Sequence, residues 1–278
     1  RLISPRLGEL LGQPVVIENR AGASGTIAAN VVAKAAPDGY TLLLGNNSSN
    51  AAVGAVNTEL PYDLRGDFTP VALIASAPHV VAVPADSRFT TLAELIAYAR
   101  ANPEKLSYGT PGVGSAPHLA GQLFESLTGT RLLHVPYRGA GSAIADMIGG
   151  RTQVSFDSAS TVLGQLKGGT VRPLAVASNR RMPQLGEIPT TAEAGTPNYV
   201  MSVWFGLFGP AGLPAPVVER LSAAMDRVLT DPQLGPQVVA TMGAEPLQPA
   251  SPAEFARFVD AEIERYAAFA GKAGAPAR

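Results

Sequence analysis

The sequence predicts an α/β protein of two domains, in which each domain is a mostly parallel sheet flanked by helices. One observation is a repeated order along the chain: an apolar strand-like run, a loop rich in Gly, Ser or Asn, and a run with helical periodicity. Another is the length of 278 residues, which is enough for two domains that each bury a core. A third is the charged fraction of 15%, which is low for a soluble protein and favours a well-buried globular chain.

The first predicted element is a helix over residues 2–11, where apolar residues recur at helical spacing until Gly12 and Pro14. An α/β chain usually opens on a strand, so we expect a further strand and loop ahead of this helix. The run PVVIENR at 14–20 predicts a strand, and IAANVVAKAA at 27–36 predicts a helix. Later units of strand, loop and helix begin with YTLLLG (40–45), KLSYG (105–109), LLHVPYRG (132–139) and QVSFDSAS (153–160).

Two stretches indicate where the chain passes between the domains. RANPEKLSYG (100–109) follows a helical pattern, and NYVMSVWFGLFGPAGLP (198–214) is an aromatic strand that runs into Pro and Gly. After residue 214 the sequence predicts two helices that close the chain, with no further strand between or after them. We therefore predict a discontinuous domain 1 of residues 1–100 and 206–278 and an inserted domain 2 of residues 101–205. The cleft between them, crossed twice near 101 and 205, can close by a hinge motion.

Composition excludes several classes of partner and chemistry. The formal net charge is −1, with scattered Lys and Arg, so neither nucleic acid nor an anionic membrane surface is an expected partner. The chain has no cysteine, which excludes thiolate catalysis and disulfides. Its three histidines lack the spacing of a metal-binding helix. We therefore expect no metal and no cofactor.

The stretch GTPGVGS at 109–115 resembles several loop motifs without matching them. Ser115 stands where a phosphate-binding loop has its lysine, and Pro117 stands where a dinucleotide-binding loop has its third glycine. The esterase turn G-x-S-x-G does not occur in the chain. Free backbone N–H groups at a helix start, together with a serine, can hold a carboxylate or phosphate. We therefore predict an anion site here.

Three loops of this kind should meet at one edge of the sheet, because the carboxyl ends of parallel strands lie together. Their candidate ligand-binding residues are Asn46 and Ser48 in the first loop, Gly112, Gly114 and Ser115 in the second, and Gly139 in the third. Asp157 ends a strand at the same edge, where its carboxylate could contact a ligand or cap the next helix. Sequence leaves these two roles equally open.

Enzyme function is the minority interpretation. Ser115 as a nucleophile with His118 as its base would suit a small hydrolase or transferase, but no orienting acid is recognisable. The aromatic residues around 199–208 are explained most simply as a buried strand, and a wall for an aromatic ligand is the alternative.

Several stretches closely resemble the solute receptors of tripartite tricarboxylate transporters, also called the Bordetella uptake gene family. The resemblance covers nearly the whole chain in the same order, and it rests on these stretches: GQPVVIENRAGASGTIAANVVAKAAPDGYTLLLG (12–45), LPYDLRGDFTPVALI (60–74), YGTPGVGSAPHLAGQLF (108–124), HVPYRGAGSAIADMIGGRTQVSFD (134–157), IPTTAEAG (188–195) and WFGLFGPAGLP (204–214).

This resemblance implies a non-enzymatic periplasmic binding protein of the type II, or Venus flytrap, architecture. Such a monomer would bind a small carboxylate and deliver it to membrane permease subunits, and some similar proteins act as sensors for two-component systems. The resemblance assigns the carboxylate to Gly112, Gly114 and Ser115, with Thr110 nearby, and places Asp157 at a water-mediated end of the ligand. No signal peptide is visible, so the periplasmic location is implied by resemblance alone. Asn50 stands where many members have histidine, so the ligand is expected to differ from theirs.

Overall fold

The computed structural model describes residues 1–244 and 250–273. Its α-helices are α1 (Ser4–Leu11), α2 (Thr26–Ala33), α3 (Asn47–Asn50), α4 (Leu92–Ala101), α5 (Ala116–Thr128), α6 (Ala140–Ile148), α7 (Ala159–Lys167), α8 (Ala215–Leu229), α9 (Leu234–Met242) and α10 (Pro252–Ala273). Its strands are β1 (Leu43–Asn46), β2 (Phe68–Pro84), β3 (Ser107–Thr110), β4 (Leu133–Pro136), β5 (Ser155–Ser158), β6 (Val171–Val176) and β7 (Ser202–Pro210).

The 17-residue strand β2 changes its partners along its length. From Phe68 to Pro78 it pairs with β7, and the last pair of this ladder joins Pro78 to Ser202. From His79 onward it lies between β5 and β6. One continuous strand is therefore shared by two groups of strands.

The α/β class is confirmed, but the mostly parallel pairing is only partly correct. β3 and β4 are parallel, and Tyr108 of β3 also forms a parallel bridge with Val154, just before β5. β2 is antiparallel to β5, β6 and β7, and β1 is antiparallel to β7. The β2–β7 pair is antiparallel because β2 carries the chain from one group of strands to the other and β7 carries it back.

The predicted strand at 14–20 is not a strand in the structure. No ladder pairs with this segment in the part of the chain that is described, and Val16 is 86% exposed. A β-branched run favours an extended backbone but forms a strand only beside a partner and a packed face. Here the run is a solvent-exposed connection between α1 and the turn before α2.

The aromatic run around β7 is buried packing, as the simpler interpretation predicts. Trp204 is 1% exposed, and its ring lies 6.0 Å from Phe255 and 5.6 Å from Phe258, both on α10. Its indole Nε1–H donates to Glu262 at 3.0 Å. Aromatic edge-to-face contacts and a satisfied indole suit a core position, so Trp204 joins α10 to the central strands.

Candidate functional site

Three helices begin at the same edge of the sheet. Thr110, which ends β3, pairs with Pro136, which ends β4, and the parallel bridge at Tyr108 places β5 on the other side of β3. The helices α5, α6 and α7 follow these three strands. The adjacent parallel strands thus bring Thr110, Gly139 and Asp157 to one side of the fold. The predicted first loop, with Asn46 and Ser48, does not follow a strand of this parallel group, because β1 pairs antiparallel with β7. The prediction that all three loops share one edge of a parallel sheet is therefore only partly correct.

The loop before α5 uses most of its polar groups internally. The hydroxyl of Ser115 donates to the carbonyl of Gly112 at 2.7 Å and accepts from the backbone N–H of His118 at 3.4 Å. The N–H of Gly112 donates to Thr110 Oγ1 at 3.2 Å, and the N–H of Gly114 donates to His118 Nδ1 at 3.2 Å. The N–H groups of Gly112 and Gly114, which the sequence suggests are free for an anion, therefore already have acceptors in the loop and on α5.

Two histidines with their rings in tilted contact lie beside this loop. The rings of His118 and His134 are 4.2 Å apart, and His134 Nε2 lies 2.6 Å from Thr110 Oγ1. Burial lowers the pKa of His118 to about 4, and burial followed by repulsion from His118 lowers the pKa of His134 to about 4 as well. Both rings are therefore neutral at pH 7, which allows the Nδ1 of His118 to accept the Gly114 N–H. The Ser115 hydroxyl donates to the Gly112 carbonyl, and no hydrogen bond from it to the His118 ring is found among the described residues.

We expect Ser115→Ala to reduce the free energy of unfolding by about 1 kcal/mol, because the variant loses the side-chain cap of α5. Urea unfolding at pH 7 measures this change. Ser4→Ala is the control, since the Ser4 hydroxyl donates to the nearby carbonyl of Arg1 at the start of α1 in an exposed hydrogen bond. Unchanged stability combined with a tenfold weaker affinity for a carboxylate would instead place the Ser115 hydroxyl against the ligand.

Two predicted residues of the first loop have different roles. Asn46 caps α3, and its side-chain oxygen accepts from the N–H groups of Ser48 at 2.9 Å and Ser49 at 3.3 Å. Ser48 Oγ accepts from the N–H of Ala116, the first residue of α5, at 3.0 Å. Asn46 therefore shapes its own loop, whereas Ser48 reaches the loop before α5.

Asn47 and Asn50 lie buried in the same short helix. Asn47 Nδ2 donates to the carbonyl of Ser202 at 2.9 Å and to the hydroxyl of Tyr266 at 2.7 Å. Asn50 Oδ1 accepts from the Ser49 hydroxyl at 2.7 Å, and its Nδ2 has no partner among the residues described. This helix is thus fastened to the start of β7 and to α10.

Gly139 and Asp157 differ in how open their surroundings are. Gly139 is the N-cap of α6 in an extended conformation, with no side-chain cap, and a Cβ placed there would have no described neighbour within 4 Å. Asp157 is 6% exposed and accepts from the N–H of Ser158 at 2.7 Å, while burial raises the pKa of its carboxyl. Asp157 therefore contacts the start of α7, and Gly139 leaves the start of α6 open.

Sequence reasoning missed Ser24. This residue is 5% exposed and has a positive φ of 57°, and its hydroxyl donates to the carbonyl of Val113 at 3.0 Å. Ser24 therefore lies against the same loop as Ser48. The stretch AGASGT (21–26) could have indicated it, because it is a Gly- and Ser-rich loop ahead of a helix, as are the three loops with candidate ligand-binding residues.

Other features of the described chain lie apart from these residues. A cavity of about 320 Å³ lies between α4, the end of α5 and residues 194–198, and another of about 500 Å³ lies along α1. Neither is lined by a predicted ligand-binding residue. Within residues 1–244 and 250–273 no cluster of three His, Asp or Glu could hold a metal ion. No helix in those ranges is both long and apolar enough to cross a membrane.

Relatives of known sequence and structure cover nearly the whole chain. A protein in the tcbD-tcbE intergenic region of Pseudomonas sp. (strain P51) is 42% identical over 236 residues, which are 84% of this chain and 70% of that protein. Protein BugT of Bordetella pertussis is 34% identical over 276 residues, covering 99% of this chain and 84% of BugT.

Two solved structures from R. palustris share the fold closely. Rpa4515, solved with adipate, is 39% identical with a TM-score of 0.94, covering 99% of this chain and 91% of that one. MatC (Rpa3494) from Rhodopseudomonas palustris, solved with bound malate, is 33% identical with a TM-score of 0.91, covering 97% of this chain and 92% of that one.

The family model described as the tripartite tricarboxylate transporter family receptor matches residues 1–274. This match, the identities above 30% over most of the chain and the shared fold agree with one another. They assign a solute-binding role and not an enzymatic one, as the sequence predicts. The chain belongs to the receptor family of the tripartite tricarboxylate transporters.

Proposed function

We propose that this chain is a periplasmic receptor that holds a small dicarboxylate between two bodies and presents it, as a monomer, to the membrane subunits of a tripartite transporter. The observation that carries the proposal is the convergence of three helix starts at one sheet edge, where two serine-bearing loops from the other group of strands contact the loop before α5. Adipate and malate in the structures of two similar proteins support a dicarboxylate as the ligand class.

We also propose that the two bodies meet at Pro78–His79 and Met201–Ser202, and not near residues 101 and 205. The change of partners along β2 supports the first crossing. The His79 N–H donates to the Met201 carbonyl at 2.8 Å, which supports a second crossing beside the first. We call residues 1–78 with 202–244 and 250–273 the first body, and residues 79–201 the second body.

The contacts of Arg172 support assigning the segment after β2 to the second body. Its guanidinium donates to the carbonyls of Ala85 at 2.7 Å, Ser87 at 2.7 Å and Phe89 at 3.0 Å. Arg172 lies on β6, so these bonds fasten residues 85–89 to a strand of that body. Hydrogen bonds from a charged donor are among the stronger ones in proteins.

The start of α6 is the best candidate for one carboxylate of the ligand. Its first N–H groups have no side-chain cap, and the aligned backbone dipoles favour a negative charge there. Arg138 immediately precedes Gly139, is exposed, and forms no ion pair in the part of the chain that is described. A cation beside an uncapped helix start suits an anionic group.

The proposed function is tested by calorimetric titration with adipate and malate, each paired with its dimethyl ester. We expect saturable binding of at least one acid with a dissociation constant of about 1 μM, and none of the esters, because the ester removes the charge that strengthens each hydrogen bond. Equal binding of acid and ester would overturn carboxylate recognition. The absence of binding to a wider panel of mono- and dicarboxylates would overturn the receptor proposal for this class.

A further inference from the structure

We propose that Ser24 and Ser48 form a latch that joins the two bodies directly, so that the receptor closes without a ligand. The proposal rests on the two-body receptor described above but not on the identity of its ligand. The latch consists of these two serines together with Gly112 and Gly114 of the facing loop.

Two buried hydrogen bonds cross from the first body to the second. Ser24 donates through Oγ to the carbonyl of Val113, 89 residues later in the chain, at 3.0 Å. Ser48 Oγ accepts from the N–H of Ala116, 68 residues later, at 3.0 Å. Ser24 is 5% exposed and Ser48 is 8% exposed, so water competes little for these bonds.

The second and third glycines of GTPGVGS, Gly112 and Gly114, occupy positions that other residues would not fit. Gly112 and Gly114 have φ values of +136° and +78°, which residues other than glycine rarely adopt. A Cβ at Gly112 would lie 3.0 Å from Ser24 Oγ, and a Cβ at Gly114 would collide with Val56 and lie 3.4 Å from the Cα of Val53. The glycines therefore allow the backbone of the second body to approach the first body closely.

Both bonds of the latch join groups of the protein to each other. The Ala116 N–H at the start of α5, which could otherwise bind an anion, already has Ser48 as its acceptor. A net hydrogen bond shifts an equilibrium by about fivefold, so the two bonds together favour closure by about 25-fold. If the ligand binds only the closed form, its apparent affinity rises with the fraction of the protein that is already closed. The latch thus raises apparent affinity through contacts between the two bodies.

The latch is tested by measuring the distance between the bodies in the ligand-free protein. The chain has no cysteine, so cysteines introduced at the exposed residues Glu59 and Lys105 can carry spin labels for pulsed electron resonance. Glu59 belongs to the first body and Lys105 to the second. We expect the unliganded wild type to show mainly the short distance, and Ser24→Ala combined with Ser48→Ala to shift the population toward a longer one.

Two further variants separate the latch from general loss of packing. Ser107→Ala is the matched control, since Ser107 is 8% exposed like Ser48 but its hydroxyl bonds Gln153 within the second body. We expect it to keep the wild-type distances. Gly114→Ala should open the bodies by steric contact with Val56 while both serines remain. Circular dichroism establishes that each variant is folded.

Either of two results would overturn the proposal: a long distance in the unliganded wild type, or unchanged distances in both the double serine variant and Gly114→Ala. Neither result depends on a carboxylate. If the latch behaves as expected but no acid binds in the calorimetric titration, the latch stands and the proposed ligand class fails. If an acid binds but the distances do not respond, the receptor function stands and the latch fails.

Discussion

A Gly139→Asp variant is expected to bind its dicarboxylate about a hundredfold more weakly than the wild type. The new carboxylate would sit at the N-cap of α6, where the ligand is proposed to bind, and two like charges about 5 Å apart repel by roughly 3 kcal/mol at an effective dielectric constant near 20. Gly139 has an extended φ of −175° and open space around it, so aspartate fits without strain.

The matched control is Gly139→Asn, which has the same shape without the charge. Both residues are good N-caps, so both variants should be at least as stable as the wild type in urea unfolding. Calorimetric titration of both variants with the best-binding acid then measures the effect of the added charge alone. We expect the asparagine variant to lose much less affinity than the aspartate variant. Equal affinities of the two variants would show that no ligand carboxylate lies near the start of α6.

Acidification from pH 7 to pH 4 is expected to remove several kcal/mol of folding stability. Burial lowers the pKa of His118 to about 4, and burial, with a smaller contribution from Arg265, lowers the pKa of His79 to about 4. Unfolded histidine titrates near 6.5, so below that pH the unfolded state takes up protons that the folded state does not. The stability contributed by each neutral ring is complete above pH 6.5 and declines as the pH falls toward 4.

His134, whose pKa is likewise lowered to about 4, adds to this effect, and the size for each ring follows from its pKa difference. A difference of about 2.5 pKa units corresponds to roughly 3 kcal/mol for each histidine at pH 4. Urea unfolding at fixed ionic strength between pH 7 and pH 4 measures the decline. His118→Gln should flatten part of this slope, because glutamine does not titrate. A slope that is unchanged in both His118→Gln and His79→Gln would assign the acid sensitivity to other groups.

The positions of the candidate ligand loops could be predicted from sequence because their signals are local. The alternation of apolar runs, glycine-rich loops and helical runs predicts that helices begin after β3, β4 and β5, and those helix starts do lie at one edge. Ser115 also caps α5 as its place before the helical run suggests. These features depend on residues within a few positions of one another.

Other predictions failed because they depended on partners that are distant in the chain. The segment 14–20 has the composition of a strand but lacks a neighbour with which to form a ladder in the described part of the fold. Asp157 is not one of these failures, because the sequence left two roles open for it: its carboxylate accepts from the Ser158 N–H, and its role toward a ligand stays a prediction. The antiparallel course of β2 could not be read from local periodicity.

The sequence by itself determined the α/β class, the helix starts at the sheet edge and the membership of the family. Only the tertiary structure decided what those loops touch. Ser24 meets Val113 across 89 residues, and Ser48 meets Ala116 across 68. The sequence tells which groups can form hydrogen bonds and will need a partner when they are buried. Which partner it receives is settled when elements far apart in the chain pack together, because packing alone determines which groups lie within hydrogen-bonding distance.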